Sequence, residues 1–104
     1  MAQRHGLTRE QFRLVNGRGQ TSQSPLFNLK YKLLPNEATY KLTVVISSKL
    51  VKLAVDRQKL RRQIKAITAK IITKPLGLIF YLKEPAKKAT YTELETAITS
   101  ILTP

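Results

Sequence analysis

The sequence predicts an α+β fold: a single two-layer sandwich in which helices cover one face of a small mixed sheet and leave an open basic face. Three observations carry that expectation. LFNLKYKLL and TYKLTVVISS alternate with the period of half-buried strands, while other stretches repeat apolar residues at helical spacing. The strand lysines Lys30, Lys32 and Lys41 all fall on the polar side of the alternation. The order reads αββ(β)αβα, in a chain of 104 residues that suits one domain over residues 1–104 and is too short for two.

The first helix follows Thr8, a plausible N-cap, with Phe12 and Val15 giving it one apolar side. Residues 1–6 before it are expected to be flexible. GRGQTSQSP, with its Gly, Ser and Pro, predicts a loop over residues 17–24. In the first strand Phe27, Leu29, Tyr31 and Leu33 share one face, and Asn28, Lys30 and Lys32 share the other. Burial sets this register, because turning Tyr31 outward would place two lysines in the core. The turn PNEA then leads to a strand in which Leu42, Val44 and Ile46 oppose Lys41, Thr43, Val45 and Ser47, and so short a connection predicts an antiparallel hairpin. A long helix is expected from an N-cap at Asp56 to about Thr73, with Leu60, Ile64, Ile67 and Ile71 on one stripe and Arg57, Arg61 and Lys65 on the next. GLIFYL, residues 77–82, reads as a buried strand. Thr90 and Glu93, in capping-box spacing, open a last helix carrying Leu94, Ala97, Ile98, Ile101 and Leu102.

Nineteen Lys and Arg against six Asp and Glu give a formal charge of +13. The excess is concentrated: from Lys41 to Lys74 there are ten Lys or Arg and a single acid, Asp56. Like charges four apart on a helix repel, so an external polyanion is the expected compensation. Arg, whose planar donors match phosphate, is prominent there, and no Trp or Phe lies beside Leu60 and Ile64 to enter a bilayer. Nucleic acid is therefore favoured over membrane. No apolar run is long enough to span a bilayer, there is no Cys, and the start MAQRHGLTRE lacks a signal-peptide core, so a cytoplasmic location is expected. The acids are scattered and the one histidine, His5, reads as a surface residue, which argues against an autonomous nuclease. GRG at residues 17–19 lacks the following helix of a phosphate loop and reads as a flexible turn. A helix-turn-helix reading fails for want of two helices joined by a tight Gly-containing turn, so no DNA partner is expected.

SSKLVKLAVDRQKLRRQIKAI resembles the signature of the bacterial ribonuclease P protein subunit, through Ser47, Lys49, Ala54, Val55, Arg57, Lys59, Leu60, Arg61, Arg62 and Lys65. LTREQF with Val15 resembles that family's first helix, and YLKEPAKKATYTELETAI its final strand, turn and helix. Ser48 and Gln58 depart from the pattern, standing where the family usually has Lys and Asn. The resemblance implies a sandwich with an unusual left-handed crossover, bound to a catalytic RNA that removes the 5′ leader of precursor tRNA using Mg2+ held mainly by the RNA. It implies RNA-binding roles for Lys49, Lys52, Arg57, Gln58, Lys59, Arg61, Arg62 and Lys65, and no catalytic or metal-binding residue in the chain. It also implies a leader cleft between the first helix and the open sheet face. There Lys30, Lys32 and Lys41 are expected to hold leader phosphates, with Asn28 a further leader-binding residue on the same face and Phe12 stacking on a base. The alternative is a ribosomal or other structural RNA-binding protein without an associated nuclease.

Overall fold

The computed structural model describes residues 6–72 and 74–102. The elements are α1 (Arg9–Arg18), β1 (Gln20–Gln23), β2 (Phe27–Leu33), β3 (Lys41–Val45), α2 (Ala54–Ile71), β4 (Leu76–Leu82), a 3₁₀ helix (Glu84–Lys88) and α3 (Tyr91–Leu102). The α+β class, the mixed sheet and the element order are those the sequence predicts. His5 and the rest of residues 1–5 lie outside the described residues, as do Thr73 and the last two positions.

The strands run in the order β1-β2-β4-β3, with β3 and β4 parallel and the other neighbours antiparallel. The expected hairpin between β2 and β3 is therefore absent: β4 lies between them, and α2 makes the crossover from β3 to β4. The physical reason is in GLIFYL itself. Leu78 and Phe80 are buried against α2 and α3, whereas Ile79 is buried under α1. A strand that is apolar on both faces needs cover on both and takes a central position. β2 and β3 alternate and can stand on either side of it.

The main core lies between the sheet and the α2–α3 layer. Phe27, Leu29, Leu42, Val44, Leu78 and Phe80 from the strands meet Leu60, Ile64 and Ile67 of α2 and Leu94 and Ile98 of α3. The rings of Phe27 and Phe80 pack edge to face with centroids 5.2 Å apart. Thr68 is buried without penalty, because its hydroxyl donates to the Ile64 carbonyl oxygen at 2.8 Å. Tyr31 packs on this core while Asn28, Lys30 and Lys32 take the opposite face, so the register set by burial holds.

α1 corrects the expectation that all helices share one face. It lies on the other side of the sheet, where Val15, Leu34 and Ile79 form a small second core with Phe12 packed against it. The basic face is thus partly roofed. The cap of α1 is as expected, with Thr8 and Gln11 bonding reciprocally as a capping box. The same motif opens α3: Thr90 N–H donates to Glu93 Oε1 at 3.1 Å, and Glu93 N–H to Thr90 Oγ1 at 3.2 Å.

Two local expectations fail. Residues 17–24 are not one loop, because α1 continues to Arg18 and β1 pairs with β2 over Gln20–Gln23. Asp56 is not the N-cap of α2; Leu53 is, without a side-chain cap bond, and Asp56 sits inside the first turn. An acid there still favours the positive end of the helix dipole. Arg57 instead ties the incoming segment to the helix: its Nη1 donates to the carbonyl oxygens of Val51 at 2.8 Å and Lys52 at 3.1 Å.

Candidate nucleic-acid interface

Burial of Leu60, Ile64 and Ile67 turns the opposite side of α2 to solvent. Gln58, Lys59, Arg62 and Lys65 are exposed there, Arg57 and Arg61 are half-buried at its margins, and Lys49 and Lys52 are exposed in the segment leading in. The structure therefore gathers all eight predicted RNA-binding residues around one helix. Ion pairs do not neutralise it: among the described residues the pairs are Lys41–Glu37 and Lys70–Glu95, each at 3.8 Å, and neither involves residues 49–65. Arg57 differs from the rest, since part of its guanidinium is committed to the backbone before α2.

On the other side of the sheet, strand register arranges the α1-facing residues in rows. Asn28, Tyr81 and Val45 form one row, Lys30, Ile79 and Thr43 the next, and Lys32, Gly77 and Lys41 the third. Val15 and Leu34 close over the third row, for a Cβ on Gly77 would lie 2.8 Å from Val15 Cγ2 and 2.8 Å from Leu34 Cδ1. The row of Asn28, Tyr81 and Val45 lies farthest from that closure. Asn16, at the end of α1, ties helix to sheet with both its oxygens: its Oδ1 accepts from the Tyr81 hydroxyl at 2.7 Å and its carbonyl from Lys30 Nζ at 3.0 Å. Burial pushes the Tyr81 hydroxyl up from its ordinary pKa, keeping it a neutral donor. At the other end of α1 the Leu7 N–H donates to Thr43 Oγ1 at 3.4 Å.

The five predicted leader residues do not form one cluster. Asn28 lies on the row of Tyr81 and Val45, and its Oδ1 is buried without a hydrogen-bond partner among the described residues. Lys30 borders it. Lys32 and Lys41 stand two rows away on either side of Gly77, with Lys41 paired to Glu37, which Gln11 of α1 also contacts. Phe12 lies half-buried on the inner side of α1.

The sequence profile of the Ribonuclease P family matches residues 1–104. The chain belongs to that family. A ribonuclease P protein component from a Pseudanabaena species is 29% identical over 97 residues, covering 90% of this chain and 84% of that protein. The fold is that of the ribonuclease P protein of Staphylococcus aureus, at 20% identity and a TM-score of 0.78 over 92% of this chain and 89% of that one. It also matches the Thermotoga maritima protein at 18% identity and a TM-score of 0.80, over 97% of this chain and 96% of the other. Ribonuclease P proteins are components of an RNA–protein endoribonuclease, so this family member has a ribonuclease P RNA as its implied partner.

Sequence reasoning missed Tyr81 and Thr43 as residues of the α1-facing side and Asn16 as the tie between α1 and the sheet. The unbroken apolar run of GLIFYL hides which positions face which side, so Tyr81 could be assigned only once the partners of β4 were known. Among the described residues no helix is long and apolar enough to cross a membrane. Among the described residues no group of three or more His, Cys, Asp or Glu converges.

Proposed function

We propose that this chain binds the catalytic RNA of ribonuclease P along α2 and the 5′ leader of precursor tRNA in the cleft beside α1, supporting tRNA 5′ maturation in the cytoplasm. The observation that carries the reading is the pairing of a cationic stretch, residues 49–65, which makes no ion pair among the described residues, with a second polar surface on the opposite side of the same sheet. Lys49, Lys52, Arg57, Gln58, Lys59, Arg61, Arg62 and Lys65 meet phosphates of the RNA, which performs the hydrolysis with Mg2+ held mainly by its own groups. The chain's cations lower the repulsion between the catalytic RNA and the leader. Lys30 beside Asn16, and Lys32 and Lys41 two rows away, attract the leader backbone, while Phe12, joined by Tyr81, offers the aromatic surface. Asn28 Oδ1 supplies an unpaired acceptor beside them.

Reconstitution tests this. Adding the protein to a bacterial ribonuclease P RNA at low magnesium should restore cleavage of precursor tRNA at the mature 5′ end. RNA binding without any gain in cleavage would instead identify a structural RNA-binding protein.

A further inference from the structure

A second concavity, of about 560 Å³, lies on the α2–α3 side of the sheet, where the start of α2 meets the 3₁₀ helix and the start of α3. The buried Val51 and Leu60 give it an apolar floor, and the exposed Lys52, Lys59 and Lys87 surround it. The Tyr91 ring lines one wall and is held from outside: Lys70 Nζ donates to its hydroxyl at 3.2 Å and lies 5.4 Å from the ring centroid. Asp56 is the only carboxylate on the lining. It shares the groove with three lysines, yet among the described residues it makes no ion pair and no side-chain hydrogen bond. The helix dipole accounts for an acid in the first turn of α2. It does not account for an aromatic wall and a third lysine, from a different element, facing the same space.

We infer that this groove receives one unpaired guanosine of an RNA strand, with the base against Tyr91, its donor edge on Asp56, and the flanking phosphates on Lys52, Lys59 and Lys87. The inference rests on the reading of the chain as an RNA-binding subunit and names a base-reading site within it. A carboxylate only accepts hydrogen bonds, through two parallel oxygens. Guanine alone presents two adjacent donors, N1–H and the N2 amino group, on its pairing edge. Adenine and cytosine each place an acceptor next to their amino group, and uracil flanks its single N–H with two carbonyls, so each would set a lone pair against the carboxylate. Stacking on Tyr91 tolerates any base; the carboxylate supplies the choice.

Binding of fluorescein-labelled pentauridylates with a central guanosine, inosine or adenosine tests the assignment. The guanosine strand should bind about tenfold tighter than the adenosine strand, the discrimination typical of one bidentate contact, with inosine between because it lacks the amino group. Asp56→Asn, which preserves a residue suited to a helix start, should abolish the preference, and Lys87→Ala should weaken all three strands alike. Equal binding of guanosine and adenosine strands, or a preference that survives Asp56→Asn, overturns the site. Cleavage stimulation of ribonuclease P RNA by the same protein separates the two readings. Stimulation without a guanosine preference removes only the groove; a preference without stimulation removes only the proposed enzyme role.

Discussion

Gly19 shows how far a single residue's role can lie from its local appearance. Within GRG it reads as a flexible turn, but its φ is −75°, open to any residue, and its constraint is space. A Cβ there would lie 2.4 Å from the Val15 carbonyl oxygen and 2.8 Å from that of Tyr31. Both are backbone atoms, and neither can move without shifting α1 or β2. Gly77 is tight against side chains only, and a Cβ on Gly17 would meet nothing within 4 Å. Thermal unfolding should therefore rank three variants. Gly19→Ala should fall at the upper end of the roughly 1–3 kcal/mol typical of overpacking, Gly77→Ala lower in that range, and Gly17→Ala should be neutral or stabilising. At about 4–8 °C per kcal/mol for a domain near this size, the order is readable from melting midpoints. Equal midpoints for Gly17→Ala and Gly19→Ala would refute the close approach.

At the scale of elements, legibility followed the range of the interaction. The N-cap of α1, the capping box of α3, the apolar stripe of α2 and the alternation of β2 are set by neighbours a few residues away, and each stands where the residues place it. The β2–β3 hairpin failed because a local rule was applied to a non-local question. A central strand needs two partners, and the reading of GLIFYL as buried already implied that something had to make room for it. β1, polar along its whole length as QTSQ, carries no apolar alternation and is held by its ladder to β2, so nothing in its residues announces a strand. Within α2 the structure separates two kinds of arginine. Arg57→Ala removes the bonds to the Val51 and Lys52 carbonyls and should lower stability by about 1 kcal/mol as well as weakening RNA binding. The exposed Arg62→Ala should weaken RNA binding with an unchanged melting midpoint, and Lys74→Ala, beyond the end of α2, should do little to either. Filter binding alongside melting curves checks this, and equal RNA losses for all three would mean that α2 presents no docking face.

For the whole molecule the governing fact is a charge of +13 distributed over two sides of one sheet. If about five phosphates are neutralised, affinity for RNA should drop by a hundredfold or more between 50 and 200 mM salt, and a flat response would exclude counterion release as the driving term. The placement of α1 opposite α2 adds a sharper expectation. Residues on the two surfaces, separated by the thickness of the sheet and its core, share no partner, and distant sites without shared partners lose free energy additively, within about 0.5 kcal/mol. Arg62→Ala should therefore weaken docking to the catalytic RNA equally for precursor with or without a leader. Lys32→Ala should reduce only the advantage of the leader-bearing substrate, with little dependence on leader sequence, because a lysine meets phosphate rather than base edges. The double variant measured on leader-bearing precursor should then show the sum of the two losses. A coupling well above 0.5 kcal/mol would mean that one continuous strand of RNA crosses both surfaces, and that the sheet does not divide the protein into an RNA-docking side and a substrate side.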